Sequence, residues 1–194
     1  MTRPRTMADE DVLAAAADAV AAVGPGAITL AEIGRQVGLS PATLLQRFGS
    51  KRGLLLALAQ QAAQTLPRDL RQSASASAPV AAMVNTFAEL AAGVRTSSEF
   101  ANHLAFLLLD LGDPDFRDLT RTYALAVEAA ISDVLAAGQA SGELLSGPLD
   151  DDLPRLVHAA YNGALLTWGM TGESEPAGQV RRHLHQILDP YLAA

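Results

Sequence analysis

The stretch TLAEIGRQVGLSPATLLQRFGSK, Thr29 to Lys51, decides how this chain is read. Leu30, Ile33, Gly34 and Val37 recur at i, i+3, i+4 and i+7, which puts them on one buried helix face while Glu32, Arg35 and Gln36 stay in water. Thr29 can cap this helix, its hydroxyl accepting from an unpaired N–H of the first turn. Gly38 follows the last periodic residue, where a helix most easily ends in the left-handed conformation. Leu39 then plugs the corner, and Ser40 before Pro41 is an N-cap with proline at the first helical position. In the second helix Leu44 and Phe48 point inward, and Gly34 leaves room for the two axes to cross closely. This is helix-turn-helix logic, whose second helix can lie in the DNA major groove; a helical hairpin inside a bundle is the alternative reading.

With these residues in view, Leu13 to Leu58 resembles the DNA-binding domain of the tetracycline-repressor (TetR) family. In that family a first helix packs under the motif, and a phenylalanine, serine, lysine ending opens helix four; here the ending is Phe48, Gly49, Ser50, Lys51. The resemblance implies an all-α, homodimeric fold, an N-terminal three-helix domain with a C-terminal helical bundle. It also implies a ligand-responsive transcriptional regulator, a repressor released from a pseudo-palindromic double-stranded operator by a small molecule.

The recognition helix departs from the family pattern. Where relatives carry glycine, threonine, leucine and tyrosine, this chain has Ala42, Thr43, Leu44 and Leu45, so the tyrosine that bonds a phosphate is missing. Pro41, Ala42, Leu45 and Gln46 face outward with Arg47 beside them. Gln46 can pair with an adenine edge, Arg47 with guanine or a phosphate, and Ala42 and Leu45 can touch thymine methyls. Weak hydrogen-bond readout with a larger share from apolar contact and DNA shape is therefore expected. The DNA-facing set is Thr29, Arg35, Ser40, Pro41, Ala42, Thr43, Leu45, Gln46, Arg47 and Lys51.

Charge distribution agrees with this polarity. The net charge is −7 over 194 residues, which disfavours indiscriminate binding to nucleic acid. Residues 1–66 hold six Lys/Arg against five acids, or +1; residues 67–194 hold eight against sixteen, or −8. The mildly positive end carries the motif, so phosphate contact must come from few groups: the start of helix four with Lys51, then Thr43, Arg47 and Arg52. Arg3 and Arg5 can serve as an arm reaching a minor groove, or as a solvated tail. No apolar run is long enough to span a bilayer, the start MTRPRTMADED has no signal-type segment, and there is no cysteine. A cytoplasmic protein is expected.

The rest of the chain reads as helices. Residues 8–23 form an alanine-rich helix with Asp9, Glu10 and Asp11 in its first turn, and a helix from Ser50 is expected to end at Pro67. Residues 68–78 read as a loop or frayed end, and helices are expected at 79–94, 98–111, 115–138, 152–170 and 177–192. The expected organisation is a DNA-binding domain at 1–50, connecting helix four at 51–66, and a ligand-binding and dimerisation domain at 79–194. The last two helices are apolar on more than one face and so want more than one partner. The resemblance implies that they meet a second subunit, with Leu156, Tyr161, Leu165, Leu184, Ile187, Leu188 and Tyr191 as interface candidates. Met83, Phe87, His103, Phe106, Tyr123, Asn162 and Trp168 are candidates for a mostly apolar pocket, although packing alone would explain each.

No cofactor or metal is expected. Asp150 to Asp152 read as solvated helix-start charges, and His183 and His185 point to different sides of one helix. With no cysteine, no G-x-S-x-G elbow and no G-x-G-x-x-G after a strand, no catalytic residue is assigned. Two readings stand beside the regulator: a small-molecule-binding dimer whose DNA surface has degenerated, and an all-α enzyme.

Overall fold

The computed structural model describes residues 7–193, and of residues 107–111 the backbone alone. The arm read at Arg3 and Arg5 lies outside the described residues. The helices are α1 Asp9–Val23, α2 Leu30–Val37, α3 Pro41–Phe48, α4 Lys51–Ser73, α5 Pro79–Ala92, α6 Ser97–Gly112, α7 Pro114–Ser141, α8 Leu153–Thr171 and α9 Pro176–Leu188. A 3-10 turn, Asp189–Tyr191, follows α9, because Pro190 has no N–H with which to continue it. By backbone proximity the chain divides into two units, Met1–Ala63 with Ser98–Thr120, and Gln64–Ser97 with Arg121–Ala194.

The first unit is built on a core of Val12, Leu13, Ala16, Val20, Ile28, Ile33, Val37, Leu44, Leu54, Leu55, Leu58 and Phe116. Its local geometry follows the signals in the quoted stretch. The Thr29 hydroxyl accepts from the Glu32 N–H at 3.1 Å, and the Ser40 hydroxyl accepts from the Thr43 N–H at 3.1 Å. Gly38 sits at φ 68°, and the Leu39 N–H donates to the Gly34 carbonyl at 2.9 Å. A Cβ on residue 34 would stand 2.5 Å from the Leu39 backbone oxygen, so the turn closes only over glycine. At the start of α4, Ser50 accepts from the Gly53 N–H at 2.9 Å, and a Cβ on residue 53 would run into the Phe48 carbonyl.

In the second unit α5 and α8 pack on α9. The core includes Leu66, Leu70, Met83, Val84, Phe87, Ile131, Val134, Leu153, Val157, Ala164, Val180 and Leu184. Ala78 offers no side chain to cap α5. Instead Glu143, two residues past the end of α7, accepts from the Val80 N–H at 2.7 Å and from the Ala81 N–H at 2.9 Å. A carboxylate on the positive end of a helix satisfies two orphan donors and its dipole together.

Two sequence expectations need correction. The helix expected to end at residue 66 runs on to Ser73, with Pro67 inside it, and only residues 74–78 remain as the loop expected over 68–78. Pro67 cannot donate to the Ala63 carbonyl, and that loss is offset because Leu66, Pro67, Leu70 and Ser73 form one buried face. The division between the two units falls at Ala63, the residue whose carbonyl loses its partner. The last helix stops at Leu188 rather than at 192. Residues beyond the 3-10 turn pair back to the segment after α7, with the Leu145 N–H donating to the Tyr191 carbonyl at 2.8 Å and the Ala193 N–H to the Glu143 carbonyl at 3.0 Å.

Candidate nucleic-acid interface

Helix α3 presents a continuous outer face. Ser40, Pro41, Ala42, Leu45 and Gln46 are exposed, Thr43 and Arg47 are half-buried, and Leu44 is the anchor with no exposed surface. Leu45 keeps 46% of its surface, a large apolar side chain left in water on a helix that is otherwise capped and packed. The Ser40 and Thr43 hydroxyls are 2.8 Å apart, which fixes the first turn and presents both oxygens outward. Of the flanking residues, Thr29 and Arg35 are exposed; the Arg35 side chain, 72% exposed, pairs with its helix neighbour Glu32.

The other basic groups are tied back into the unit. The Arg47 side chain is 19% exposed and pairs with Asp9 at the start of α1. Its Nη2 donates to the Met7 carbonyl at 2.9 Å, its guanidinium lies 5.9 Å from the Phe48 ring centre, and its Nη1 is buried with no hydrogen-bond partner among the described residues. Arg47, expected at a guanine or a phosphate, thus braces the end of α3 against α1. Lys51 donates to the Gly26 carbonyl at 2.8 Å. Arg52 is clamped by Asp113 (Nε to Oδ2, 2.8 Å; Nη2 to Oδ1, 2.6 Å) and Asp115 (2.7 Å), and it lies over the buried Phe116 ring. That guanidinium holds the Asp113 carboxyl below the usual carboxylate range, chiefly through its hydrogen bonds. Among the described residues, the outer face of this unit is therefore neutral and partly apolar.

A stability consequence follows for Arg47. Arg47→Ala is expected to lower unfolding free energy by about 1–3 kcal/mol, because it removes the part-buried guanidinium with its pair to Asp9 and its bond to the Met7 carbonyl. Base preference in an operator scan should stay unchanged. Relaxed specificity at a guanine with unaltered melting would instead restore the reading role.

The pocket candidates fall in two places. Met83 and Phe87 are fully buried in the second unit, where the Phe87 and Tyr161 rings lie 4.8 Å apart between centres. Burial pushes the Tyr123 hydroxyl up to about 12, and its ring meets His158 edge-on at 6.2 Å. Trp168 donates its Nε1–H to the Ser174 carbonyl at 3.1 Å, which ties α8 to the loop that follows, and Asn162 faces solvent. His103 and Phe106 lie in the first unit, on a cavity between α1, α4 and α6. His158, outside the candidate set, is also buried, and its imidazole has its pKa lowered by desolvation and partly restored by Glu128. It stands three residues before the buried Tyr161 and seven before the buried Leu165, the spacing of one helix face.

Of the interface candidates, Tyr161, Leu165, Leu184 and Leu188 are buried within their own unit, Ile187 and Tyr191 are half-buried, and Leu156 is exposed. The exposed apolar surface of α8 is a different stripe, Leu156, Ala159, Gly163, Leu166 and Met170. Leu156, Leu166 and Met170 keep 47%, 43% and 72% of their surface. Their spacing, i, i+3, i+7, i+10, i+14, is that of a heptad stripe.

Comparison with known proteins agrees with the geometry of α1 to α4. Residues 12–58 match the family model described as bacterial regulatory proteins, tetR family. Among the described residues, the nine helices follow the fold of solved tetR-type regulators. SmeT of Stenotrophomonas maltophilia, the repressor of the multidrug efflux pump SmeDEF, is similar over 97% of this chain and 92% of its own, with 17% identity and a TM-score of 0.70. A TetR transcription regulator from Haloarcula marismortui covers 95% and 98%, with 19% identity and a TM-score of 0.71. A candidate transcriptional regulator from Saccharomonospora viridis, solved with choline, covers 96% and 98%, with 18% identity and a TM-score of 0.71. No curated protein matches the sequence. Within the matched residues 12–58 the motif residues fall on α2, the turn and α3. Among the described residues, no helix is long and apolar enough to cross a membrane.

Proposed function

We propose that the chain is a ligand-responsive transcriptional repressor that binds a pseudo-palindromic operator as a homodimer. The observation that carries this reading is the free outer face of α3, held by Ser40 and Pro41 at one end and by Gly49 at the other. Residues 1–50 bind DNA, residues 51–66 of α4 connect, and residues 79–194 bind the effector and dimerise. The DNA-facing surface consists of Thr29, Arg35, Ser40, Pro41, Ala42, Thr43, Leu45, Gln46 and Lys51, with Arg47 as brace. Ala42 and Leu45 supply apolar contact to thymine methyls and Gln46 the one long polar probe, so DNA shape carries much of the specificity. Dimerisation uses the heptad seam of α8; its small central residues, Ala159 and Gly163, let two copies approach closely about a two-fold axis. Release requires the effector to bind the DNA-incompetent arrangement better, and a coupling of about 1–3 kcal/mol suffices. The similar fold of an efflux-pump repressor, and of a protein solved with choline, supports the effector-responsive part of the reading.

The test is fluorescence anisotropy with DNA flanking the gene that encodes the chain. Saturable, sequence-dependent binding is expected, with a shallow log K against log salt slope of about −4 to −5, from two or three phosphate contacts per subunit. No binding at micromolar protein would favour the alternative, a small-molecule-binding dimer with a degenerate DNA surface, to which the exposed Leu45 and the scarcity of free cations point. Gln46→Ala leaving base preference unchanged would remove Gln46 from the reading role.

A further inference from the structure

A cavity of about 190 Å³ opens between α1, α4 and α6, within the first unit. Val20 of α1, Leu58 and Ala59 of α4 and Phe106 of α6 form its apolar wall, while Glu99, Asn102 and His103 stand at the rim. Protein interiors are packed with few voids larger than a water molecule, and an engineered apolar cavity of about 150 Å³ takes up benzene. A single six-membered ring is therefore the size that fits. Asn102 is already committed: its amide donates to the Ala21 carbonyl at 2.8 Å and holds α6 to the end of α1. The ionisable groups of the rim are His103 and Glu99. His103 is exposed to solvent at the cavity mouth, and the desolvation it does undergo lowers its pKa, so its neutral imidazole has a ring nitrogen able to accept a hydrogen bond. A carboxylate at the same rim disfavours an anionic guest. By contrast, Met83 and Phe87 of the second unit are fully buried, with Phe87 against Tyr161.

We propose that this cavity binds a small neutral aromatic molecule bearing one hydroxyl, of the phenol class, with its ring on Val20, Leu58 and Phe106 and its hydroxyl at the rim. Val20 and Leu58 belong to the same core as Ile33 and Leu44, which position α2 and α3. A guest that shifts either residue acts directly on the DNA-reading helices. That control role rests on the regulator reading above; the binding site does not.

The experiment titrates phenol into the full-length protein by calorimetry and ligand-observed NMR, with benzoate as the anionic counterpart. Phenol is expected to bind saturably and benzoate at least about tenfold more weakly, a difference of about 1.4 kcal/mol. Ala59→Leu and Ala62→Leu, each projecting into the cavity from α4, should each weaken phenol about tenfold or more while melting and circular dichroism stay as in the parent. Absence of saturable phenol binding, or binding unchanged in both folded variants, would overturn the site. Operator binding with and without phenol is read separately. Phenol binding with operator affinity unmoved removes the control role and leaves the site, whereas a protein that never binds DNA but binds phenol removes the regulator reading alone.

Discussion

Gly34→Ala is expected to lower the stability of the helix-turn-helix by about 3 kcal/mol, a fall of roughly 6–12 °C in melting temperature. It should also abolish sequence-specific DNA binding. The added methyl would lie 2.5 Å from the Leu39 backbone oxygen and 3.7 Å from the Pro41 nitrogen, so neither neighbour can swing aside as a side chain would. Relief requires opening the turn, and that rotates α3, whose cap at Ser40 is the residue next to the clashing Leu39 carbonyl. Gly26→Ala is the matched control, since a Cβ there meets nothing within 4 Å and its φ is ordinary. Thermal melting and operator anisotropy on both variants decide it. Equal behaviour of the two would mean that the turn has slack, contrary to the geometry.

The second large effect concerns the α8 seam. Leu166→Glu, and independently Met170→Glu, should convert a dimer to a monomer in sedimentation equilibrium and cost operator affinity about a hundredfold or more. The reason is that two linked half-site contacts exceed either one by that order. Each side chain is exposed in the single chain, at 43% and 72%, so the charge has no buried cost there, and melting should move little. In a paired seam the same carboxylate would be buried against its symmetry mate, at a cost of several kcal/mol. A variant that remains dimeric moves the interface off this stripe; a parent that is monomeric at micromolar concentration removes the dimer altogether.

The quoted stretch was legible because its determinants are local. Thr29 caps Glu32, Gly38 ends α2 in the left-handed region and Ser40 caps Thr43, all within three residues or one turn, and each hydrogen bond was implied by residue type and spacing. The exposed side of α3 was legible for the same reason, since Leu44 inward places Ala42, Leu45 and Gln46 outward.

What escaped the sequence reading depends on partners far along the chain. Arg47 meets Asp9, thirty-eight positions away, and Arg52 meets Asp113, sixty-one away, so a basic count of the N-terminal segment overstates the charge free to meet phosphate. Pro67 was read as a stop because a proline removes one backbone bond; burial of its helix face outweighs that loss, and burial is a tertiary quantity. Helix α8 has apolar residues on both sides, so periodicity alone could not say which stripe its own unit would cover.

Residue order by itself therefore determined where this protein turns, which helix is capped for display and which side of that helix faces out, because those choices are settled by steric and hydrogen-bonding preferences within a few residues. Only the folded chain decided which cations are spent on internal carboxylates, where an unfilled space remains between α1, α4 and α6, and which apolar stripe of α8 is left exposed. Each of those is a competition among distant groups for the same surface, and its outcome is written in packing rather than in spacing.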